Sequence, residues 1–119
     1  MNTRQKGTQK EGVAAEFLEA QGMRLVERNF RNRQGEIDLI GYHEGYLVFV
    51  EVKYRRNLNR GSAVEAVGGR KQQQICKVAD YYRYTHRIHS ETAIRYDVVA
   101  IQGEEIHWIK DAFRHLGSF

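Results

Sequence analysis

Residues 36–54 read EIDLIGYHEGYLVFVEVKY, and their pattern decides the architecture. Glu36 to Gly41 alternates, with Glu36, Asp38 and Ile40 on one face and Ile37 and Leu39 on the other, the period of two of a strand. His43, Glu44 and Gly45 supply a turn. Tyr46 to Tyr54 is rich in β-branched and aromatic residues and almost wholly apolar until Glu51 and Lys53, as a central strand covered on both sides has to be. The two segments are expected to form a hairpin. Closed with Gly41 across from Tyr46, it sets Asp38 opposite Phe49 and Glu36 opposite Glu51. Glu51 then becomes the diagonal neighbour of Asp38, at roughly 7 to 8 Å between backbones. Asp38, Glu51 and Lys53 share one face in that register, and a one-residue slip would separate them.

Working outward, the segment from Lys10 to Gln21 sets Ala14, Ala15, Leu18 and Gly22 on one helical stripe and ends at Gly22, a fitting C-terminal glycine. Met23 to Phe30 predicts a short edge strand. After a polar loop centred on Asn57 to Gly61, a helical pattern runs from Ser62 to Thr85 with a break near Gly68 and Gly69. Its inward stripe is Ile75, Val78, Ala79 and Tyr82, with Lys71 one turn before Ile75. Ile94 to Ile101 predicts a strand that the long helix brings parallel to Tyr46–Tyr54. Glu105 to Ile109 returns antiparallel, and the tail from Asp111 is ambiguous. The whole is an α/β single domain over residues 1–119, a mixed β-sheet flanked by helices.

A chain of 119 residues with 41% hydrophobic and 29% charged residues has the composition of a globular domain. No stretch approaches the ~18 apolar residues of a membrane span, and Met1 to Gly12 is polar and basic without an export signal, so no membrane and a cytoplasmic location are expected. Cys76 is the single cysteine, which rules out an internal disulfide or a CxxC zinc motif. The net charge of +4 favours nucleic acid only mildly. Placement says more: Arg28, Arg31 and Arg33 precede one acidic motif, while Arg55, Arg56, Arg60, Arg70 and Lys71 follow the other, as a phosphate-tracking surface around a carboxylate site requires.

Like charges on one face of a buried strand pair are destabilising unless a cation or a lysine offsets them. Oxygen-only ligands from Asp38 and Glu51 suit Mg²⁺ or Mn²⁺, which complete their shells with water and substrate phosphate. Lys53 would then orient a water or stabilise charge on the phosphoryl oxygens. The structural alternative is a self-neutralising ion pair of Glu51 with Lys53 or an arginine.

Asp38 followed by Glu51-Val52-Lys53 closely resembles the PD-(D/E)xK nuclease signature, with Ile37 where the name has proline. More narrowly, Gly35-Glu36-Ile37-Asp38-Leu39-Ile40, Phe49-Val50-Glu51-Val52-Lys53-Tyr54-Arg55, Lys71 and Arg95-Tyr96-Asp97-Val98-Val99 resemble the YraN family of uncharacterised bacterial proteins over nearly the whole chain. The resemblance implies a restriction-endonuclease-like fold, related in layout to archaeal Holliday junction resolvases. It also implies an acidic residue near the start of the first helix, and Glu11, on the stripe of Ala14, Ala15 and Leu18, takes that place; Glu16 points elsewhere. Lys71 matches a family lysine and fits a phosphate contact, against the alternative of a snorkelling surface lysine. Asp97 and Arg95 are expected to support the sheet or pair with neighbouring charges.

The weaker signals are His86 and His89, one helical turn apart without a third ligand, and Tyr81, Tyr82 and Tyr84, able to stack on bases except that Tyr82 continues the core stripe. The expectation is a Mg²⁺- or Mn²⁺-dependent endonuclease acting on DNA, with branched or structured DNA as the candidate class. Asp38 and Glu51 would be its metal ligands, with Lys53 and Glu11 in catalysis and Lys71, Arg55, Arg56, Arg60 and Arg70 on nucleic acid. A homodimer would be needed for concerted cleavage of two strands. The rivals are a non-catalytic nucleic-acid-binding module of the same fold and a protein-interaction subunit.

Overall fold

A computed structural model describes residues 3–54 and 67–116, and of residues 3–10 only the helical backbone. The elements run α1 (Thr3–Ala20), β1 (Arg24–Asn32), β2 (Gly35–His43), β3 (Tyr46–Tyr54), α2 (Gly69–Thr85), β4 (Ile94–Gln102) and β5 (Glu105–Phe113). The five strands make one mixed sheet in the order β1-β2-β3-β4-β5, in which β3 and β4 alone pair parallel. This is the α/β layout with helices on a mixed sheet that the sequence predicts. The parallel pair requires the crossover that carries α2.

Alternate residues of β3 explain the layers. Leu47 and Phe49 pack with Ile75, Val78, Ala79 and Tyr82 of α2, whereas Val48 and Val50 pack with Ala14, Ala15 and Leu18 of α1. A strand buried on both sides needs apolar residues at every position, and Leu47 to Val50 are all buried. α1 ends as expected at Gly22, whose φ of 99° closes the helix: its N–H reaches the Glu19 carbonyl and the Met23 N–H reaches the Leu18 carbonyl. The helix starts earlier than its apolar stripe, because Thr3 to Lys10 is polar and carries no stripe to read. β5 likewise runs on to Phe113, past the expected end at Ile109.

The β2–β3 register differs from the expected one. His43 pairs with Tyr46 and Ile40 with Phe49, so the turn has two residues, Glu44 and Gly45, at φ values of 50° and 85°. Two consecutive positive φ values match the right-handed twist of the flanking strands, which favours the tighter connection. The correction is a shift of two residues, which preserves the faces of the paired stretch, whereas the expected alternation of Glu36 to Gly41 does not hold: Ile37 and Ile40 enter one core and Leu39 the other. No helix among the described residues is long and apolar enough to cross a membrane.

A second consequence of the sheet is the buried pair Arg95–Asp97. The guanidinium makes two hydrogen bonds of 2.9 Å to the Asp97 carboxylate, meets His43 Nδ1 at 3.0 Å and lies over the Tyr46 ring at 5.3 Å from its centre. The Trp108 indole N–H at 2.8 Å and the Asp111 backbone N–H at 3.0 Å donate to the same carboxylate. β4–β5 pairing is irregular between Tyr96 and Val98, which frees Asp97 to take these donors. The expected role of Arg95 and Asp97 in supporting the sheet is what the geometry displays. Removing the acid strands a buried guanidinium, so Asp97→Ala is expected to cost about 3 to 5 kcal/mol in chemical denaturation. Glu19→Ala, which breaks an exposed pair with Arg28, should cost under about 1 kcal/mol. Equal losses in the two variants would contradict this account of β4.

Candidate active site

The β2–β3 ladder runs from His43–Tyr46 to Leu39–Val50 and stops there. The next pair in sequence would be Asp38 and Glu51, and at that point a side chain replaces the backbone. The Val52 N–H donates to Asp38 Oδ2 at 2.8 Å. β2 continues with β1 alone as far as Gly35–Asn32. The two strands of the sheet thus part beside a carboxylate.

β1 is irregular beside the parting. Asn29, which the β1–β2 register places across from Asp38, has a φ of 54°, although the register runs unbroken from Arg28–Leu39 to Phe30–Ile37 and shifts only between Leu25 and Glu27. Ile37 and Ile40, three positions apart, both enter the core beneath α2. Phe30 joins that same core, with its ring 5.1 Å from Tyr82.

Three carboxylates converge at the break. Oxygen atoms of Glu11 from α1, and of Glu36 and Asp38 from β2, lie within 4.8 Å of one another. All three are half-buried. Burial pushes the Asp38 carboxyl up to about 8, with the Glu51 charge adding to the rise and the Val52 N–H opposing it. Glu11 is raised by burial, against a hydrogen bond with the Asn29 side chain. Arg31 pairs with Glu36 at the solvent side of the cluster.

Glu51 is buried and pairs with Lys53 Nζ at 3.4 Å and Lys71 Nζ at 3.8 Å. Burial raises its carboxyl, while Lys71 and then Lys53 oppose the rise. Both lysines remain partly exposed, at 29% and 36% of their side chains. Position 53 shares the face of position 51 by strand period, and position 71 sits in the first turn of α2, so two elements deliver ammonium groups to one carboxylate.

The structure therefore gathers Asp38, Glu11, Glu51, Lys53 and Lys71. The tightest acidic group is Glu11, Glu36 and Asp38, and Glu51 stands on the lysine side. Glu36 and Asn29 were not among the expected site residues. Glu36 had a signal, because it shares the alternating face of Asp38; Asn29 had none, because its role depends on its φ and on the β1–β2 register. Arg70 is exposed at the start of α2. Arg55, Arg56 and Arg60 lie outside the described residues. Glu16 is exposed on α1, away from the cluster's stripe. His86 stacks on Tyr82 at 3.9 Å between ring centres, which accounts for it without a metal.

Residues 10–101 match the uncharacterised protein family UPF0102. The chain is 46% identical over 118 residues to the UPF0102 protein of Lachnoclostridium phytofermentans, covering 99% of this chain and all of that one. It is 43% identical to the UPF0102 proteins of Halorhodospira halophila and Shewanella baltica, over 93% and 90% of its length and 88% and 97% of theirs. The YraN-type resemblance read from the motifs and these matches agree, and the chain belongs to the uncharacterised protein family UPF0102.

Proposed function

We propose that the protein is a Mg²⁺- or Mn²⁺-dependent endonuclease that hydrolyses phosphodiester bonds in DNA, with branched or structured DNA as the preferred class. The observation that carries this reading is the meeting of Glu11, Glu36 and Asp38 within 4.8 Å beside Glu51 and its two lysines. An all-oxygen donor set of carboxylates fits a hard divalent cation that keeps part of its water shell. The likeness of Asp38 and Glu51-Val52-Lys53 to the PD-(D/E)xK signature supports the same chemistry and with it a restriction-endonuclease-like fold.

Asp38 and Glu51 would hold the ion, with Glu11 and Glu36 at the edge of its shell. A bound ion supplies polarisation of a phosphoryl oxygen and acidification of a water. Lys53 is poised to stabilise charge that builds on the phosphoryl oxygens, since its Nζ already sits on a carboxylate of the site. Lys71 and Arg70 enter from α2 as phosphate contacts. Such a site cuts one strand, so concerted cleavage of two strands would take two copies.

The charge balance sets a pH dependence. A carboxyl whose folded-state value is raised binds more protons folded than unfolded, so its stabilising share is present at low pH and is lost as pH climbs toward the folded value. For Asp38 that window runs from the ordinary range near ~4 up to about 8. The metal-free protein is therefore expected to melt lower at pH 8 than at pH 5, and Mn²⁺ should raise the melting temperature more at pH 8, where it replaces protons. Asp38→Asn should flatten both responses. Identical pH and Mn²⁺ responses in wild type and Asp38→Asn would contradict the site.

Cleavage is the direct test, run on single-stranded, duplex, flap and four-way DNA with Mg²⁺ or Mn²⁺. Lys53→Ala is expected to leave DNA affinity nearly unchanged and to lower the cleavage rate by ~10²-fold or more. Thermal melts run alongside separate this from a folding defect. A wild type that cleaves none of the four substrates, or a Lys53→Ala variant that cleaves at the wild-type rate, would overturn the reading.

A further inference from the structure

Two adjoining hollows, which share Gln34 and Tyr81, form a groove along α2. One wall is the β1–β2 turn, Arg31 to Gln34, and the other is the outer face of α2. The two walls approach at Gly35, where a Cβ would be in ordinary contact with Val78 at 3.7 Å and Gln74 at 3.8 Å. Arg31 joins groove and site, since it lines the groove and pairs with Glu36.

The outer face of α2 has an ordered composition. Arg70, Gln74, Lys77, Tyr81 and Tyr84 follow one another at intervals of three or four, which places them on a single stripe. All five are exposed. At 1.5 Å per residue the stripe is about 21 Å long, basic at the end near Lys71 and Glu51 and aromatic at the other. Tyr81 is 48% exposed although its ring packs 6.1 Å from Phe30, and Tyr84 is 84% exposed. Phe30 is in turn fixed edge-on against Tyr82 in the core. Tyr81 is thus a backed ring with an open face, not a loose surface side chain. The one acid lining the groove among the described residues, Asp80, is already paired with Arg83 at 3.4 Å and His115 at 3.3 Å. Arg31 is paired with Glu36, so Arg33 and Lys77 set the sign of the remainder.

We propose that this groove binds single-stranded DNA, with one base stacked on Tyr81 and its phosphates on Arg33 and Lys77, so that the strand is led past Arg31 to the carboxylates. Cations along both walls with an open aromatic face between them match the alternation of phosphate and base in a single strand. A duplex keeps its bases inside and offers Tyr81 nothing to stack on. The proposal deepens the nuclease reading by naming a single-stranded arm as the part of the substrate held, and it rests on that reading for the choice of DNA.

The test is fluorescence anisotropy with a labelled oligothymidine in EDTA, so that binding is read without metal or cleavage. Tyr81→Ala is expected to weaken binding by ~5-fold to ~150-fold, the range for losing one stacked base, while Tyr81→Phe stays near wild type. Arg33→Ala should weaken binding and lower its salt dependence by about one phosphate's share. Thermal melts of each variant confirm that it is folded. A wild type that does not bind the oligonucleotide, or a folded Tyr81→Ala variant that binds as wild type does, would overturn the groove. If DNA is cleaved in a Lys53-dependent way while Tyr81→Ala binds normally, only the groove fails. If Tyr81 governs binding and nothing is cleaved, the groove stands and the nuclease reading fails.

Discussion

The hydrogen bond from the Val52 N–H to Asp38 Oδ2 is the contact around which the site is organised. A central strand must satisfy its backbone donors, and burial makes an unpaired N–H costly. β3 meets that demand with backbone carbonyls of β2 up to Val50, and then with a carboxylate. Because the side chain supplies the acceptor, the β2 backbone is released from β3 and follows β1 instead. Glu36 is carried with it to Asp38, and Glu11 approaches from α1. The opening in the sheet and the gathering of acids have one origin.

Burying acids there has a cost, visible in the upward shifts at Asp38, Glu11 and Glu51, which desolvation leads and the neighbouring carboxylates add to. The chain offsets it unevenly. Glu51 is the more buried and has two lysines, and Glu36 has Arg31, whereas Asp38 and Glu11 have only neutral donors among their described contacts. That imbalance distinguishes the cluster from the Arg95–Asp97 pair in the same sheet. There the carboxylate has a guanidinium, an indole N–H and a backbone N–H, and the group is self-sufficient. One constellation is built for support, and the other is left short of positive charge on one side.

Much of this was legible in the residues, for definite reasons. The unbroken apolar run of β3 and the stripe of α2 are strong periodic signals, and they placed the parallel pair and both layers. Glu51 and Lys53 share a face as the period of two requires, but that period does not carry Asp38 onto it: Ile37 and Ile40 enter the same core, and Asp38 meets Glu11 of α1 instead. The register itself was hidden because Glu44-Gly45 forms a two-residue turn through backbone angles that composition alone does not specify. Glu36 was legible, since it alternates with Asp38 along β2, and was passed over; what no regular alternation anticipates is that Ile37 and Ile40 enter the same core. The partners of Asp97 were out of reach, since Trp108 and the Asp111 N–H arrive from another strand through an irregular ladder.

The central claim is that the unbalanced carboxylates exist to hold a divalent cation. Crystals grown with Mn²⁺ and measured for its anomalous scattering test that claim at the level of atoms. The account predicts a peak within coordination distance of Asp38 and Glu51 or Glu11, absent from crystals of Asp38→Asn grown in the same solution. A peak at another location, or no peak among these acids at a Mn²⁺ concentration well above physiological Mg²⁺, would contradict it.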